Sequence, residues 1–316
     1  MNDPHILHNI ALASGDERTM GALRRASKAY HTLLKRHPVM ENQLYDTAAE
    51  ANGPQPFQEA EWTGVAYSAF GKLHRGGDQP AVVDKKKPDS YMARYRHYKQ
   101  GVAHRDNNRP AAYTAWGGVP RNPIGGSWYE EYRINGEERR TDGGYTDIRY
   151  DDMIHETQYR RRENGVLQDH GDRPAMYFTG PTNEPFFQAH FRDDGLHMDH
   201  DDRPALLYDA TKRSESGRLR TPFYDHAVAM VLNRPYGDVK SGRTRGPQRH
   251  TAWHRNDLYD RRNREYPVEL TEGVDGTLSA RWLGSQNRRV ISEAEHAEYQ
   301  HAPPPSQSTG KRKRND

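Results

Sequence analysis

Apolar and polar positions follow two different periods along this chain. Ile6, Leu7, Ile10 and Leu12 suggest a first short helix, Gly15-Asp16 breaks it, and Met20, Leu23, Ala26, Tyr30, Leu33 and Leu34 then recur at helical spacing. A weaker helical pattern runs from Val39 to Ala51, so residues 1–51 are predicted to form a small three-helix module. Asn52-Gly53-Pro54-Gln55-Pro56 punctuates the chain and predicts a linker over 52–60. Beyond it the period becomes two: Tyr91, Ala93, Tyr95, His97 and Lys99 alternate with Met92, Arg94, Arg96 and Tyr98, as strands require.

These strands belong to a repeat. A short phrase recurs seven times, at steps of 30, 35, 29, 30, 31 and 31 residues. Its clearest copies run Gly71-Lys72-Leu73-His74-Arg75 to Pro80-Ala81 and Gly101-Val102-Ala103-His104-Arg105 to Pro110-Ala111. Two more pair Gly165 with Pro174 and Gly195 with Pro204 at the same spacing, while the copies at Gly136, His226 and Asp257 have drifted. A period in this range signals stacked units that cannot bury a core alone. Each is expected to be two antiparallel strands, with glycine allowing a positive φ at the turn and proline fixing entry into the next strand. The predicted class is α+β: a helical module, a repetitive antiparallel β-hairpin array over 61–290, a short helix over 291–301 begun by the capping box Ser292-Glu293-Ala294-Glu295, and a disordered basic tail over 302–316.

Composition agrees with a thin sheet. Only 33% of the 316 residues are hydrophobic and 29% are charged, which is poor material for a three-layer enzyme core. Nineteen tyrosines, with tryptophans and the stems of arginine, can cover a sheet instead. The absence of cysteine excludes disulfides, thiolate metal sites and a cysteine nucleophile, and points to an intracellular setting. No segment approaches the ~18 apolar residues of a membrane span. A net charge of +3 from 47 basic and 44 acidic residues does not by itself indicate nucleic acid.

The phrase Gly-x-x-His-Arg-x-x-x-x-Pro-Ala at Gly71 to Ala81 and Gly101 to Ala111 resembles the MORN-like repeats of large DNA viruses of amoebae. The stretch Ile6 to Leu12, followed by Leu23 to Leu34 with its Ala26-Ser27-Lys28-Ala29-Tyr30 segment, resembles an F-box, although Asp3-Pro4-His5 replaces that family's usual opening. The resemblance implies a viral adaptor in the host cytoplasm or nucleus. Its module would dock on the Skp-type adaptor of a cullin ubiquitin ligase, with the adaptor-docking candidates Leu7, Ile10, Leu23 and Leu33 dividing between the module's core and the docking face, and its repeats would recruit a protein target. A structural or virion-associated scaffold, with the module as a cap, is the alternative. The two differ in whether the apolar side chains of residues 1–51 face solvent or the first repeat.

Other chemistry reads more weakly. His190, Asp193, Asp194, His197, Asp199, His200, Asp201 and Asp202 could hold a cation, but their spacing fits no established ligand pattern and aspartates are common in turns. His74-Arg75 and His104-Arg105 could bind phosphate, but a ladder of contacts between repeats explains their recurrence directly. Tyr95-Arg96-His97-Tyr98-Lys99 and Tyr159-Arg160-Arg161-Arg162 could stack on a single-stranded nucleic acid or bind acidic lipid, though neighbouring aspartates interrupt any basic track. Lys311, Arg312, Lys313 and Arg314 resemble a nuclear import signal. No phosphate loop, nucleophile elbow or dinucleotide fingerprint is present. The expectation is a non-enzymatic interaction protein without cofactor or metal.

Overall fold

A computed structural model describes residues 4–26, 28–86, 92–116, 126–153, 155–193, 195–197, 204–213, 249–255, 258–259, 266–273, 275–285 and 287–300. The protein is α+β: N-terminal helices, a long array of antiparallel strands with small hairpins, and a short C-terminal helix. It divides into two compact units, Met1–Asp152 with Arg162–Gly165, and Met153–Arg161 with Val166–Asp316.

Four helices open the first unit where three were expected: α1 (Pro4–Ser14), α2 (Glu17–Ala26), α3 (Lys28–Arg36) and α4 (Pro38–Asn52). Gly15 ends α1 at φ +59°, and Asp16 caps α2 by accepting from the backbone N–H of Arg18 and Thr19. The apolar stripe from Met20 to Leu34 is shared by α2 and α3 because both turn toward one core of Ala11, Met20, Tyr30, Leu34, Leu44 and Tyr45. Periodicity reports the buried face and not the axis, so a bend that preserves the face is silent in it. Pro38 opens α4 where its missing N–H has no intrahelical partner to lose. The expected linker is mostly a strand, Gln55–Glu59.

Six antiparallel pairings follow in chain order in this unit, joining Gln55–Glu59, Trp62–Ala66, Val82–Lys86, Met92–Arg96, Ala112–Trp116, Trp128–Glu131 and Asp147–Asp151. The repeat differs from the expected simple hairpin. In its second copy, Met92–Arg96 runs to His97, the chain folds into a small hairpin of Tyr98–Lys99 and Val102–Ala103, and only then returns as Ala112–Trp116. The glycine turns the small hairpin and not the main strands. Gln100 and Gly101 both take positive φ, as do Phe70 and Gly71, Asn135 and Gly136, and Asn164 and Gly165. Two successive positive φ values define the type I′ turn that suits a two-residue hairpin loop. In the fifth copy Gly195 lies in the strand Gly195–Leu196 opposite Arg192, and Asp193 takes a positive φ at the turn as Gln100 does in the second copy; the glycine-to-proline spacing had placed Gly195 in the turn.

One hydrogen bond closes every described repeat. The residue after the first long strand donates its N–H to the residue that opens the return strand: Tyr67 to Ala81 (2.7 Å), His97 to Ala111 (2.7 Å), Tyr132 to Thr146 (2.8 Å), Arg161 to Ala175 (2.7 Å), His190 to Ala205 (2.8 Å) and Trp253 to Val268 (3.0 Å). Pro80, Pro110, Pro174 and Pro204 immediately precede four of these acceptors, and Ala81, Ala111, Ala175 and Ala205 are buried, as are Thr146 and Val268 at the same position in the drifted copies. The drifted copies near Gly136 and Asp257 therefore close like the others. The copy at His226 and Pro235 lies outside the described residues, and the flanking strands Leu206–Asp209 and Arg249–Ala252 pair directly with each other.

In the second unit Met176, Phe178, Phe187, Ala189, Leu206 and Ala252 form a buried core beneath the strands Glu156–Arg160, Met176–Thr179, Pro185–Ala189, Leu206–Asp209 and Arg249–Ala252. Glu156 and Arg213 form a bidentate ion pair inside it, at 2.9 and 3.4 Å. The helix Glu293–Gln300 begins at the expected capping box, with Ser292 Oγ accepting from the Glu295 N–H, and sets Tyr299 edge-on against Trp282 and Tyr266. The tail and its Lys311 to Arg314 cluster lie outside the described residues.

Candidate functional site

Register places three cross-strand rows of the first unit on one sheet face. The middle row is Gly64, Asp84, Arg94, Thr114, Tyr129 and Arg149. Trp62, Lys86, Met92 and Trp116 flank it on one side, and Val82, Arg96, Ala112, Glu131 and Asp147 on the other. Its tryptophans, Met92 and most of its charged side chains are only half-buried, so the face meets solvent.

Its charges are held in place. Asp84 has no exposed side-chain surface, and Arg94 grips it through Nε at 3.2 Å and Nη2 at 2.6 Å while Arg96 Nη2 reaches it at 3.2 Å. Glu59 closes the other side, 3.0 Å from both guanidinium groups. Burial works against the charge of Glu59, but Arg96 and Arg94 outweigh it and hold the carboxyl below its ordinary range. The Arg94 guanidinium stacks 3.7 Å from the Trp62 ring, and that of Arg96 lies 5.3 Å from Phe57. Further along, the Tyr129 hydroxyl donates to Asp147 at 2.5 Å; burial and then the Asp147 charge push that hydroxyl's pKa up. Arg133 bonds Glu131 and Glu138 beside it.

The recurring histidines are internal fasteners. Gln100 donates its backbone N–H to His74 Nδ1 (3.0 Å), and Asn135 does the same to His104 Nδ1 (2.9 Å), so each histidine grips the hairpin turn of the following repeat. With Nδ1 accepting, Nε2 carries the proton and donates to Asp46 from His74 (2.5 Å) and to Asp106 from His104 (3.0 Å). The arginines turn back to their own repeat: Arg75, Arg105 and Arg140 each donate to the carbonyl five residues on, at 3.2–3.3 Å. Arg105 also chelates Asp78 of the preceding repeat. The ladder foreseen between repeats is present, with each histidine accepting from a backbone amide in the hairpin turn of the next repeat.

Tyr95 and Arg96 lie on opposite faces, Tyr95 against Tyr113 and Arg96 against Asp84, so strand alternation splits the Tyr-Arg sequence into two surfaces. Among the described residues no group of three or more His, Asp or Glu is arranged to hold a metal. His190 bonds Asp169 at 2.7 Å, while Asp194, Asp199, His200, Asp201 and Asp202 lie outside the described residues.

No family model matches this chain, and no curated protein does. Its function must be read from its own surfaces.

The helical module is seated on the hairpins of the first two repeats. Asp46 of α4 binds His74, Asn42 accepts from Gln100 (2.9 Å), Asn52 donates to the Ser68 carbonyl (2.9 Å), and Glu17 accepts from the Phe70 N–H. A Cβ on Gly76 would lie 2.5 Å from the Asp46 carboxyl, so α4 approaches as closely as glycine allows. Of the four residues assigned to adaptor docking, Leu7, Leu23 and Leu33 are half-buried against the core that includes Ala69 and Phe70, and Ile10 is exposed. Val39, which sequence reasoning did not single out, is 70% exposed. Sequence reasoning also missed the pairing of Asp84 with Arg94, which a strand register centred on position 89 brings opposite each other.

Proposed function

We propose that the protein is a non-enzymatic protein-binding platform, with its helical module capping the hairpin side of the array. The observation that carries this is the solvent-facing sheet surface on which Trp62, Met92, Trp116 and Tyr129 stand beside guanidinium groups already fixed by Asp84 and Glu59. Tryptophan, tyrosine and arginine dominate binding hot spots, and side chains held in place before contact lose less entropy on binding. The head serves as a cap: three of its four candidate docking leucine and isoleucine positions turn toward the core shared with the first repeat, and α4 makes polar contacts with two repeats.

The test is affinity capture from host-cell lysate with the full chain, compared with Trp62→Ala/Trp116→Ala. A partner held by the wild type and lost by the folded double variant supports the platform; capture that is unchanged refutes this face as the binding surface. Adaptor recruitment is the second reading, favoured by exposed Ile10 and Val39. Recovery of Skp and cullin components by the wild type, with loss in Ile10→Asp, supports it. Point variants are preferable to deleting residues 1–51, since deletion would strip His74 of Asp46.

A further inference from the structure

The head sits on the hairpins of the first two repeats, away from the ladder of the first sheet edge. Gln55–Glu59 pairs on one side with Trp62–Ala66, and among the described residues no strand lies on its other side. An edge of this kind ordinarily invites another strand.

The direction of its backbone groups follows from register. Tyr67 and Ala81 are a hydrogen-bonded pair, and such pairs recur every second residue in an antiparallel ladder. Val65 and Val83 are therefore also bonded, and both polar groups of Val65 point toward Val82–Lys86. Pro56 lies opposite Val65, so its backbone faces the open side. The outward positions are thus Pro56 and Gln58, with Pro54 two residues before on the same parity. An unblocked edge would offer an N–H at each; this one offers only that of Gln58 within the strand. Each pyrrolidine ring also occupies the place where an incoming carbonyl would accept. Prolines in a strand are tolerated only where no ladder bond is required, and here both fall on the side that needs none.

The opposite end of the array uses a different device. Ile291 donates to the Leu278 carbonyl at 3.0 Å, which turns the backbone of Val290 outward, but the strand Arg289–Val290 is only two residues long before the capping box begins. Too few groups face out to hold a partner strand.

We propose that Pro54 and Pro56 guard the first edge against strand pairing with a second copy of this chain. The guard lets the sheet carry a binding face without pairing edge to edge with a second copy. The test is light scattering after size exclusion on the full chain, with far-UV circular dichroism confirming the fold. The wild type should keep its 36.4 kDa monomer mass across concentrations, P54V/P56V should shift toward twice that mass with rising concentration, and adding Gln58→Pro to that variant should restore the monomer. The single Pro56→Val should show the same shift more weakly. A folded P54V/P56V that stays monomeric at every concentration overturns the proposal, as does association that Gln58→Pro leaves intact.

Discussion

Removing Asp84 tests whether the binding face is built on a buried charge. Its carboxyl is fully enclosed, while Arg94 and Arg96 keep 19% and 16% of their side-chain surface. Losing one member of a buried pair costs about 3–5 kcal/mol, because the remaining charge keeps its desolvation without its partner. Here the two guanidiniums reach some water and retain Glu59, so Asp84→Ala should fall near the lower end, about 3 kcal/mol, and Asp84→Asn should cost about 2 kcal/mol since one acceptor oxygen survives. Replacing the centre with apolar groups in Asp84→Leu/Arg94→Met/Arg96→Met should recover most of the loss, because the only charge that loses its partners is Glu59, whose side chain is half-exposed. Urea unfolding followed by circular dichroism gives the free energies, and hydrogen exchange in Val82–Lys86 and Met92–Arg96 locates them. A loss below about 1 kcal/mol for Asp84→Ala, or a triple variant no better than the single one, would refute the reasoning.

Three further outcomes are expected. Glu156→Ala should cost about 3–5 kcal/mol in thermal or urea unfolding, since it removes the carboxylate that balances the Arg213 charge in a sealed site with little water to replace it. His104→Ala should cost about 1–3 kcal/mol by leaving the Asn135 N–H without its acceptor, and exchange protection should fall at that amide first. Hydrogen bonding from Arg105, aided by the charges of Arg105 and Arg109, holds Asp78 down to about 2 from an ordinary 3.8. A lowered carboxyl contributes stability that is complete above about pH 4 and fades as pH falls toward about 2; Asp78→Asn should flatten that acid limb in stability measured between about pH 2 and 5, and an unchanged limb would contradict the assignment.

Much of the architecture was legible because the repeat is a local device. Asn-Gly and Gln-Gly turns, the Pro-Ala exits and the alternation of the strands each record a backbone requirement within a few residues, so their order announces hairpins and an array. The capping box at Ser292 and the break at Gly15-Asp16 were readable for the same reason. Gly195 misled because the glycine-to-proline spacing was preserved while the turn begins one residue earlier than it implies, at Asp193. The linker was misread because Pro56 argues against a strand until one knows that the strand is an edge.

What the chain's own order determined, then, is the set of elements, their sequence, and the residues whose conformation only glycine, alanine or proline supplies at low cost. The tertiary structure decided the partners. That His74 would join α4 to two repeats, that Asp84 would lie under two arginines, that three of the four leucine and isoleucine positions would turn inward and that Pro56 would face out are matters of register and docking. Those depend on which strand lies beside which, and a shift of one residue would send every side chain to the other face.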